Sequence, residues 1–146
     1  MSDYPKKLKD FIEILSSVTD PAERIEYLVS YADKFKHVTE DIAVPPYPAE
    51  NKIPFCESGA YVWVHPQKDG TLQFSFAVEN PQGVSAKALS AILMNTISGE
   101  KAEEIANIPD DIVYKIFGQG LSMGKNMGLT GIIQYIKRQA QKIIRS

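Results

Sequence analysis

The first stretch with a regular hydrophobic pattern is residues 4–17, where apolar side chains recur at the spacing of one helical face. These apolar positions are Leu8, Phe11, Ile12 and Leu15. We expect Asp3 to cap this helix and Pro5 to lie in its first turn, where a missing N–H is tolerated. The pattern therefore predicts an amphipathic N-terminal helix.

A second helix is predicted to begin after Asp20, which is followed by Pro21 and, two residues further on, by Glu23. This order is typical of a helix N-terminus, with Asp20 as the cap, proline at the first helical position and a glutamate able to bond back to the cap. The apolar stripe expected on this helix consists of Ile25, Leu28, Val29, Ala32 and Phe35. We expect the two helices to form a hairpin.

Helical periodicity stops between about residues 39 and 55, where the chain becomes rich in proline. The prolines are Pro45, Pro46, Pro48 and Pro54. Because proline fixes φ and lacks an N–H, the pattern predicts an extended segment that runs along the surface. Connections of this length are often functional, and this one leads to Cys56, the single cysteine of the chain.

Alternating residues after Cys56 predict a β-hairpin, with strands beginning near residues 60 and 71 and a turn over 66–70. In the return strand Leu72, Phe74, Phe76 and Val78 share one face, and Thr71, Gln73, Ser75 and Ala77 share the other. This alternation predicts an antiparallel strand that is buried on one face. The 51–56 segment is expected to add a third strand at the edge.

Helical patterns return in the rest of the chain. One helix is predicted over residues 84–98, weaker short ones near 100–107 and 110–117, and a long one over 123–144. The positions expected to face inward are Leu89, Ile92, Leu93, Thr96 and Ile97 on the first of these helices and Leu129, Ile132, Ile133, Ile136, Ala140 and Ile143 on the last. Gly99 is expected just past the end of the first.

The order of elements predicts an α+β fold in which helices cover a small antiparallel sheet of about three strands. An N-terminal helix pair and a long C-terminal helix complete it. The 146 residues, 44% of them apolar, suit a single domain spanning residues 1–146 with a substantial core.

Charge and hydropathy restrict the classes of partner and compartment. The net charge of -2, from 16 basic and 18 acidic side chains, gives no reason to expect a nucleic-acid or anionic-membrane partner. No apolar run approaches the roughly 18 residues that a membrane span needs. The N-terminal residues lack the apolar segment of a signal peptide, so we expect a cytoplasmic protein with a free thiol.

The glycine-rich stretch before the last helix resembles a phosphate-binding loop but lacks its spacing. That motif needs four residues between its first glycine and the Gly-Lys pair, whereas five residues lie between Gly118 and Gly124-Lys125 and three lie between Gly120 and that pair. Asn126 occupies the position of the magnesium-binding serine or threonine. The stretch is better interpreted as a loop and a helix N-terminus.

Metal and histidine-assisted chemistry have little support in the sequence. His37, His65 and Cys56 are far apart and show no metal-ligand spacing. A thiol enzyme would need His65 beside Cys56, which requires the first strand to fold back. Tyr61 and Trp63 share one strand face and are expected to pack against a helix, with a docking surface as the alternative.

Cys56 itself allows two interpretations. A lone cysteine is most often a buried, inert apolar residue. Its position after Pro54, in a turn-like segment outside any periodic pattern, favours a reactive thiol instead. Such a thiol needs access and stabilisation of its thiolate; Glu57 opposes this, and help would come from turn N–H groups, Ser58, Lys52 or a partner.

The chain resembles the SufE/CsdE family of sulfur-acceptor proteins in iron–sulfur cluster assembly. The resemblance rests on an "ERIEYLV" stretch over 23–29, on Pro54-Phe55-Cys56-Glu57-Ser58 leading into an aromatic strand at Tyr61, on the helix over 84–98, and on Leu121, Ser122, Lys125, Gly128 and Leu129 before the terminal helix. It covers nearly the whole chain, and the two motifs at this separation are fairly specific together.

Three departures from the family pattern involve four positions. Phe55 replaces the glycine that usually precedes the cysteine, and Tyr61 replaces the usual tryptophan. Lys125 and Met127 replace an Arg-x-Asn pair. The cysteine and the order of elements remain, so the departures bear on partner pairing and on how the loop is held.

The resemblance implies a mechanism. Cys56 would accept the persulfide sulfur of a cysteine desulfurase similar to SufS or CsdA, stimulate that enzyme, and deliver sulfur to a scaffold similar to SufBCD. The neighbouring Pro54, Phe55, Glu57, Ser58 and Gly59 would position the cysteine, and Tyr61, Lys125 and Gly128 are candidates for docking or for the terminal motif. Pyridoxal phosphate would belong to the desulfurase, with no cofactor on this chain, which would be an accessory protein rather than an enzyme. A homodimer is left open.

Two other functions compete with this interpretation. One is an adaptor that docks through Tyr61, Trp63 and the proline-rich segment, with Cys56 inert and buried. The other is a thiol enzyme that uses Cys56 and His65.

Overall fold

The computed structural model of the chain describes residues 3–146. Its helices are α1 Lys6–Ser16, α2 Pro21–Asp33, α3 Val84–Thr96, α4 Ala102–Ala106, α5 Ile112–Phe117 and α6 Met123–Arg145. Its strands are β1 Ala60–Pro66, β2 Thr71–Val78 and β3 Glu100–Lys101, and short 3-10 turns occupy Ala49–Asn51 and Gly118–Gly120. The prediction of an α+β fold with helices around a small antiparallel sheet is confirmed.

The sheet has the strand order β1-β2-β3, and both pairings are antiparallel. The expected edge strand at 51–56 was wrong, because the third strand is β3, paired with the start of β2. The 51–56 segment contributes only a single bridge between Lys52 and Tyr61. Pairing stops there because Pro54 cannot donate to a strand ladder and the chain turns at Cys56.

The second face of the sheet is covered by the proline-rich segment, which corrects two expectations. Ala77, predicted on the open face of β2, is fully buried. Tyr61 and Trp63 are only 6% and 8% exposed, and they pack against Tyr47 rather than against a helix. Val38 fixes this covering layer, since its N–H donates to the carbonyl of Phe76 at 2.7 Å.

Helix α3 lies at the centre of the molecule, where it packs against α1, α2, α6 and β2. All five residues predicted to face inward on it are buried, and so are Ala86, Ala88, Ser90 and Ala91. A helix that is apolar almost all round is buried on most sides. The helix ends at Thr96, slightly before the predicted end, and Gly99 beyond it adopts a positive φ of 86°.

The two N-terminal helices form as predicted, with one cap confirmed and one wrong. Asp20 accepts a hydrogen bond from the Glu23 N–H at 3.1 Å and so caps α2. Helix α1 instead begins after Pro5, with no side-chain cap, so Asp3 does not cap it.

The predicted apolar stripe of α2 was partly wrong. Leu28 is buried, but Ile25 and Val29 are exposed. The inward face carries Tyr27 and Tyr31 instead, whose rings pack against Phe11 of α1 at centroid distances of 6.0 and 5.3 Å. The most extensive neighbour of α2 is α3, so the helices are not a simple hairpin. None of the described helices has both the length and the apolarity needed to cross a bilayer.

Candidate functional site

Cys56 lies in a six-residue loop, 54–59, whose ends are held together by backbone hydrogen bonds. Just before the loop, the N–H of the fully buried Ile53 donates to the Ala60 carbonyl at 2.9 Å. Within it, the Gly59 N–H donates to the Cys56 carbonyl at 3.1 Å. The loop is therefore a closed excursion at the start of β1 rather than a free connection.

The same loop is attached to the turn that follows β2. The N–H of Glu79 donates to the Gly59 carbonyl at 3.1 Å, and the N–H of Asn80 donates to the Ser58 carbonyl at 3.0 Å. Gly83 makes this approach possible, since a Cβ there would lie 2.8 Å from both Cβ and Oγ of Ser58. Sequence reasoning missed Gly83, because nothing local signals a contact across 25 residues.

Helix α6 packs against the other side of the loop, and the helix residues nearest to the loop are glycines. A Cβ at Gly128 would lie 3.3 Å from Cys56 Sγ, and one at Gly124 would lie 3.1 Å from Glu57 Oε1. A Cβ at Gly131 would come within 3.0 Å of the Ile53 side chain. The loop thus packs on a helix face that carries no side chains at the points of contact, and Gly128 is brought directly against Cys56.

Phe55 adopts a backbone conformation that is unusual for its residue type. Its φ is 61°, and it is the only non-glycine residue with positive φ in the described part of the chain. Glycine, usual in the family at this position, adopts such a φ without steric penalty. The departure from the family pattern therefore falls where the backbone is strained, and the phenyl group is 76% exposed.

Cys56 is half-buried and is among the residues that line two depressions at its loop. The inner pocket, about 280 Å³, is formed with the turn 80–83, the start of α3 and the residues Gly124, Lys125 and Gly128 of α6. The outer groove, about 610 Å³, also contains Lys52, Phe55 and Met127. Cys56 therefore borders both an open groove and a more enclosed pocket.

Charges around the loop are mixed. Lys125 lines the inner pocket and Lys52 the outer groove, while Glu57 lines both. Glu57 lies beside the first turn of α6, which has no acidic residue of its own. A carboxylate near a helix N-terminus is favourable, so Glu57 helps to hold the loop on α6, whose cap is Ser122.

Tyr61 connects the loop to the sheet rather than to the surface. Its hydroxyl donates to Glu79 Oε1 at 3.2 Å. Burial, together with the nearby Glu79 charge, raises the pKa of Tyr61 above its ordinary value of 10.0. Glu79 also borders Gly59, which has a φ of 65°. A docking role for Tyr61 would need an exposed side chain, so its position points to support of the loop.

His65 does not lie next to Cys56. It is near the far end of β1, and its Nε2 is 3.0 Å from Ser75 Oγ. Five residue steps separate it from Ala60, roughly 17 Å along a strand. Among residues 3–146, neither depression that contains Cys56 is lined by a histidine. The thiol–histidine arrangement is therefore wrong.

The other sequence candidates carry no evident chemistry. Within residues 3–146 no group of three or more His, Cys, Asp or Glu side chains could hold a metal ion. The glycine-rich stretch forms the 3-10 turn Gly118–Gly120 and the first turn of α6. A groove between α2 and α3, lined by Tyr31, Phe35 and Met94, shares no residue with the Cys56 site.

Comparison with known proteins agrees with the resemblance. SufE-like protein 1, chloroplastic/mitochondrial, of Arabidopsis thaliana is 27% identical over 141 residues, which are 96% of this chain and 36% of that protein. The chain thus spans about a third of that relative's length. The solution structure of a hypothetical protein from Thermus thermophilus has the same fold, with a TM-score of 0.72, 22% identity and coverage of 98% of this chain and 99% of that one.

A family model also matches most of the chain. The model of the SufE family, described as the Fe-S metabolism associated domain, matches residues 9–140. That range contains the Cys56 loop, the sheet and most of α6. The chain therefore belongs to the SufE family of Fe-S metabolism associated domains.

Proposed function

We propose that this chain is a sulfur acceptor. It takes persulfide sulfur from a cysteine desulfurase onto Cys56, stimulates that enzyme, and delivers the sulfur for iron–sulfur cluster assembly. The observation that carries the proposal is the position of Cys56, the chain's only thiol, between an outer groove and a sheltered inner pocket. A carrier needs both, since sulfur must arrive from a partner and then be protected.

The transfer is a thiol exchange that needs no added oxidant. The Cys56 thiolate attacks the outer sulfur of the donor persulfide, a new Sγ–S bond forms, and the donor S–S bond breaks. The donor cysteine leaves as a thiolate, and the transferred sulfur keeps its own proton. Electrons balance because one S–S bond replaces another.

The inner pocket suits the product of this step. A persulfide extends the side chain by about 2 Å, and the pocket's 280 Å³ exceeds the roughly 30 Å³ of a water molecule. Ser58, Asn80 and Ser85 provide polar groups along its wall, and Lys125 provides a positive charge. The outer sulfur, which is readily oxidised or reduced in solution, would be sheltered there.

The partners in this proposal come from the resemblance to the SufE/CsdE family, and the compartment comes from the chemistry of a lone thiol. Pyridoxal phosphate belongs to the desulfurase, and this chain acts without a bound cofactor, as an accessory protein rather than an enzyme. The sulfur passes on to a scaffold complex of the SufBCD type. A reducing compartment such as the cytoplasm keeps a lone thiol available for the reaction.

The decisive experiment is intact-protein mass spectrometry after incubation with a cysteine desulfurase and L-cysteine. The wild type should gain one sulfur atom, removable by a thiol reductant, and Cys56→Ser should gain none while keeping its fold. Sulfur on the Cys56→Ser chain, or none on the wild type with several desulfurases, would contradict the proposal.

The adaptor function remains a second candidate because Cys56 also packs against the main apolar core. An inert thiol predicts slow labelling in the native state, and it predicts that Cys56→Ala retains every partner interaction and stimulates a desulfurase as well as the wild type does. Loss of stimulation in Cys56→Ala with binding retained would favour the acceptor.

A further inference from the structure

Three exposed apolar side chains form a continuous surface beside Cys56. Phe55, Met123 and Met127 are 76%, 81% and 50% exposed, and all three line a groove of about 560 Å³ along α6. We call these three residues the apolar surface. Polar residues such as Asn126, Thr130 and Arg138 border it. Exposed apolar patches with a polar rim mark sites of protein interaction.

Two features make a phenylalanine unfavourable at position 55. Its φ of 61° is unfavourable for a residue with a Cβ, and its phenyl group lies largely in water. Neither packing nor backbone geometry in the isolated chain accounts for a phenylalanine here. Strained residues that persist beside a reactive group are typical of functional sites.

The methionines continue the surface along the helix. Met123 and Met127 are four residues apart on α6 and therefore lie on one face. Methionine side chains are flexible and polarisable, and they adapt to the shape of a partner. Together with one rigid aromatic ring, this composition suits a protein contact better than a small ligand.

The apolar surface is continuous with the thiol. Phe55 and Met127 also line the outer groove that contains Cys56. A protein that passes sulfur to Cys56 Sγ has to bring its own sulfur into contact with the thiol. A donor protein that approaches through the outer groove reaches Cys56 and leaves the inner pocket free for the product. Because Phe55 and Met127 line the same groove, this donor also covers the apolar surface.

We propose that the apolar surface is the docking site of the sulfur-donating protein. Its occupant is a segment of that protein that presents an apolar side chain next to its cysteine persulfide. This inference rests on the proposed function and adds the residues that select the donor. Contact with the donor would be made chiefly by Phe55 and Met127, and the side chain of Met127 takes no part in the thiol chemistry itself.

The test compares a protein donor with a small donor. Sulfur transfer to Cys56 is measured against acceptor concentration, first with a cysteine desulfurase and L-cysteine and then with glutathione persulfide. The variants are Phe55→Asn, in which asparagine tolerates the left-handed backbone, and the double variant Met123→Gln with Met127→Gln. Met94→Gln is the matched control, since Met94 is 45% exposed but lines a groove away from Cys56.

With the desulfurase, each variant should need a roughly tenfold higher acceptor concentration for half-maximal transfer, the loss typical of an apolar hot spot. In the double methionine variant the rate with glutathione persulfide should stay at the wild-type value. In Phe55→Asn, whose backbone adjoins Cys56, the loss with the desulfurase should be much larger than any change with glutathione persulfide. Met94→Gln should match the wild type with both donors. Thermal unfolding checks that each variant folds. If Phe55→Asn does not fold, the double variant Met123→Gln with Met127→Gln still tests the proposal.

Three results would overturn the inference. The first is an unchanged half-maximal concentration with the desulfurase. The second is an equal loss of rate with both donors, which would indicate a perturbed thiol. The third is a sedimentation result in which the wild type is a dimer and the variants are monomers, so that a second copy covers the surface. Failure of the wild type to take sulfur from either donor would instead contradict the proposed function.

Discussion

Gly128 of α6 lies directly against Cys56, so that a Cβ at position 128 would be 3.0 Å from Cys56 Cα and 3.3 Å from its Sγ. Contacts of this length force a neighbour to move by a few tenths of an ångström. The half-buried position of Cys56 therefore depends on the absence of a side chain at position 128 of α6. The close contact between Gly128 and Cys56 would matter for the proposed sulfur transfer, because Cys56 stays half-buried only while its loop packs closely on α6.

Gly128→Ala should push the Cys56 loop outward and make the thiol more reactive. The added methyl group meets backbone as well as side-chain atoms of Cys56, and backbone cannot simply rotate away. We expect several-fold faster labelling by a disulfide reagent in the native state, measured as the rate of thiol consumption. An unchanged labelling rate would show that the loop moves freely in the wild type.

Gly124→Ala is the matched control for that variant. It lies on the same helix, but its Cβ would meet only the carboxylate end of Glu57, at 3.1 Å, which can rotate. Replacing a helical glycine by alanine stabilises a helix by about 1 kcal/mol. We therefore expect a higher unfolding midpoint and a wild-type labelling rate.

Phe55 allows the strain of the loop to be measured. Phe55→Gly and Phe55→Ala both remove the phenyl group, but only glycine removes the penalty of the positive φ. That penalty is about 1 to 2 kcal/mol, and the greater freedom of glycine in the unfolded chain offsets part of it. Urea unfolding should find Phe55→Gly more stable than Phe55→Ala, and the opposite order would mean that the loop relaxes out of the left-handed conformation.

Arg24 should contribute to stability through three carbonyl groups. Its guanidinium donates to the carbonyls of Leu15 at 2.9 Å, Lys115 at 3.0 Å and Ile116 at 3.1 Å, near the C-terminal ends of α1 and α5. Hydrogen bonds from a charged group and a cation at helix C-termini are both stabilising.

Arg24→Met keeps most of the apolar stem of that side chain and removes its donors. We expect a loss of about 1 to 3 kcal/mol in the free energy of unfolding, measured by urea denaturation. Arg24→Lys keeps the charge without the planar fork and should fall between the two. A value for Arg24→Met equal to that of the wild type would show that water replaces these bonds without penalty.

Local pattern was sufficient to predict most elements but not the contacts between them. The inward residues of α3 follow from helical spacing alone, and the cap at Asp20 follows from the local order of Asp20, Pro21 and Glu23. On α2, by contrast, the apolar pattern predicted that Ile25 and Val29 face inward. The face that packs against α1 instead carries the rings of Tyr27 and Tyr31. A tyrosine buries a large ring while keeping its hydroxyl in water, so a purely apolar stripe misidentifies the face.

The candidate site shows the same limit. The position of Cys56 in a loop before an aromatic strand was evident from the sequence, and the family resemblance added Gly128. The approach of Gly83 to Ser58 and the cover formed by Val38 arise from chain segments that meet only in the folded state. The left-handed backbone of Phe55 can be inferred from the glycine usual at that position, because glycine adopts a positive φ without steric penalty.

His37 gives a test of the charges near the inner pocket. Burial, and then the charge of Lys87, lower the pKa of His37 below its ordinary value of 6.5. Lys87 also donates to the Pro81 carbonyl at 3.0 Å, in the turn beside the pocket. Because folding favours the neutral imidazole, the folded state binds fewer protons than the unfolded state as the pH falls below about 6.5, and stability decreases there.

Lys87→Gln should raise the pKa of His37 without restoring its ordinary value, since burial, the larger cause, remains. The measurement is an NMR titration of the imidazole protons between pH 5 and pH 8, a range centred near the usual histidine pKa of about 6.5. A His37 pKa that stays unchanged or falls in Lys87→Gln would mean that the Lys87 ammonium points away from the ring in solution.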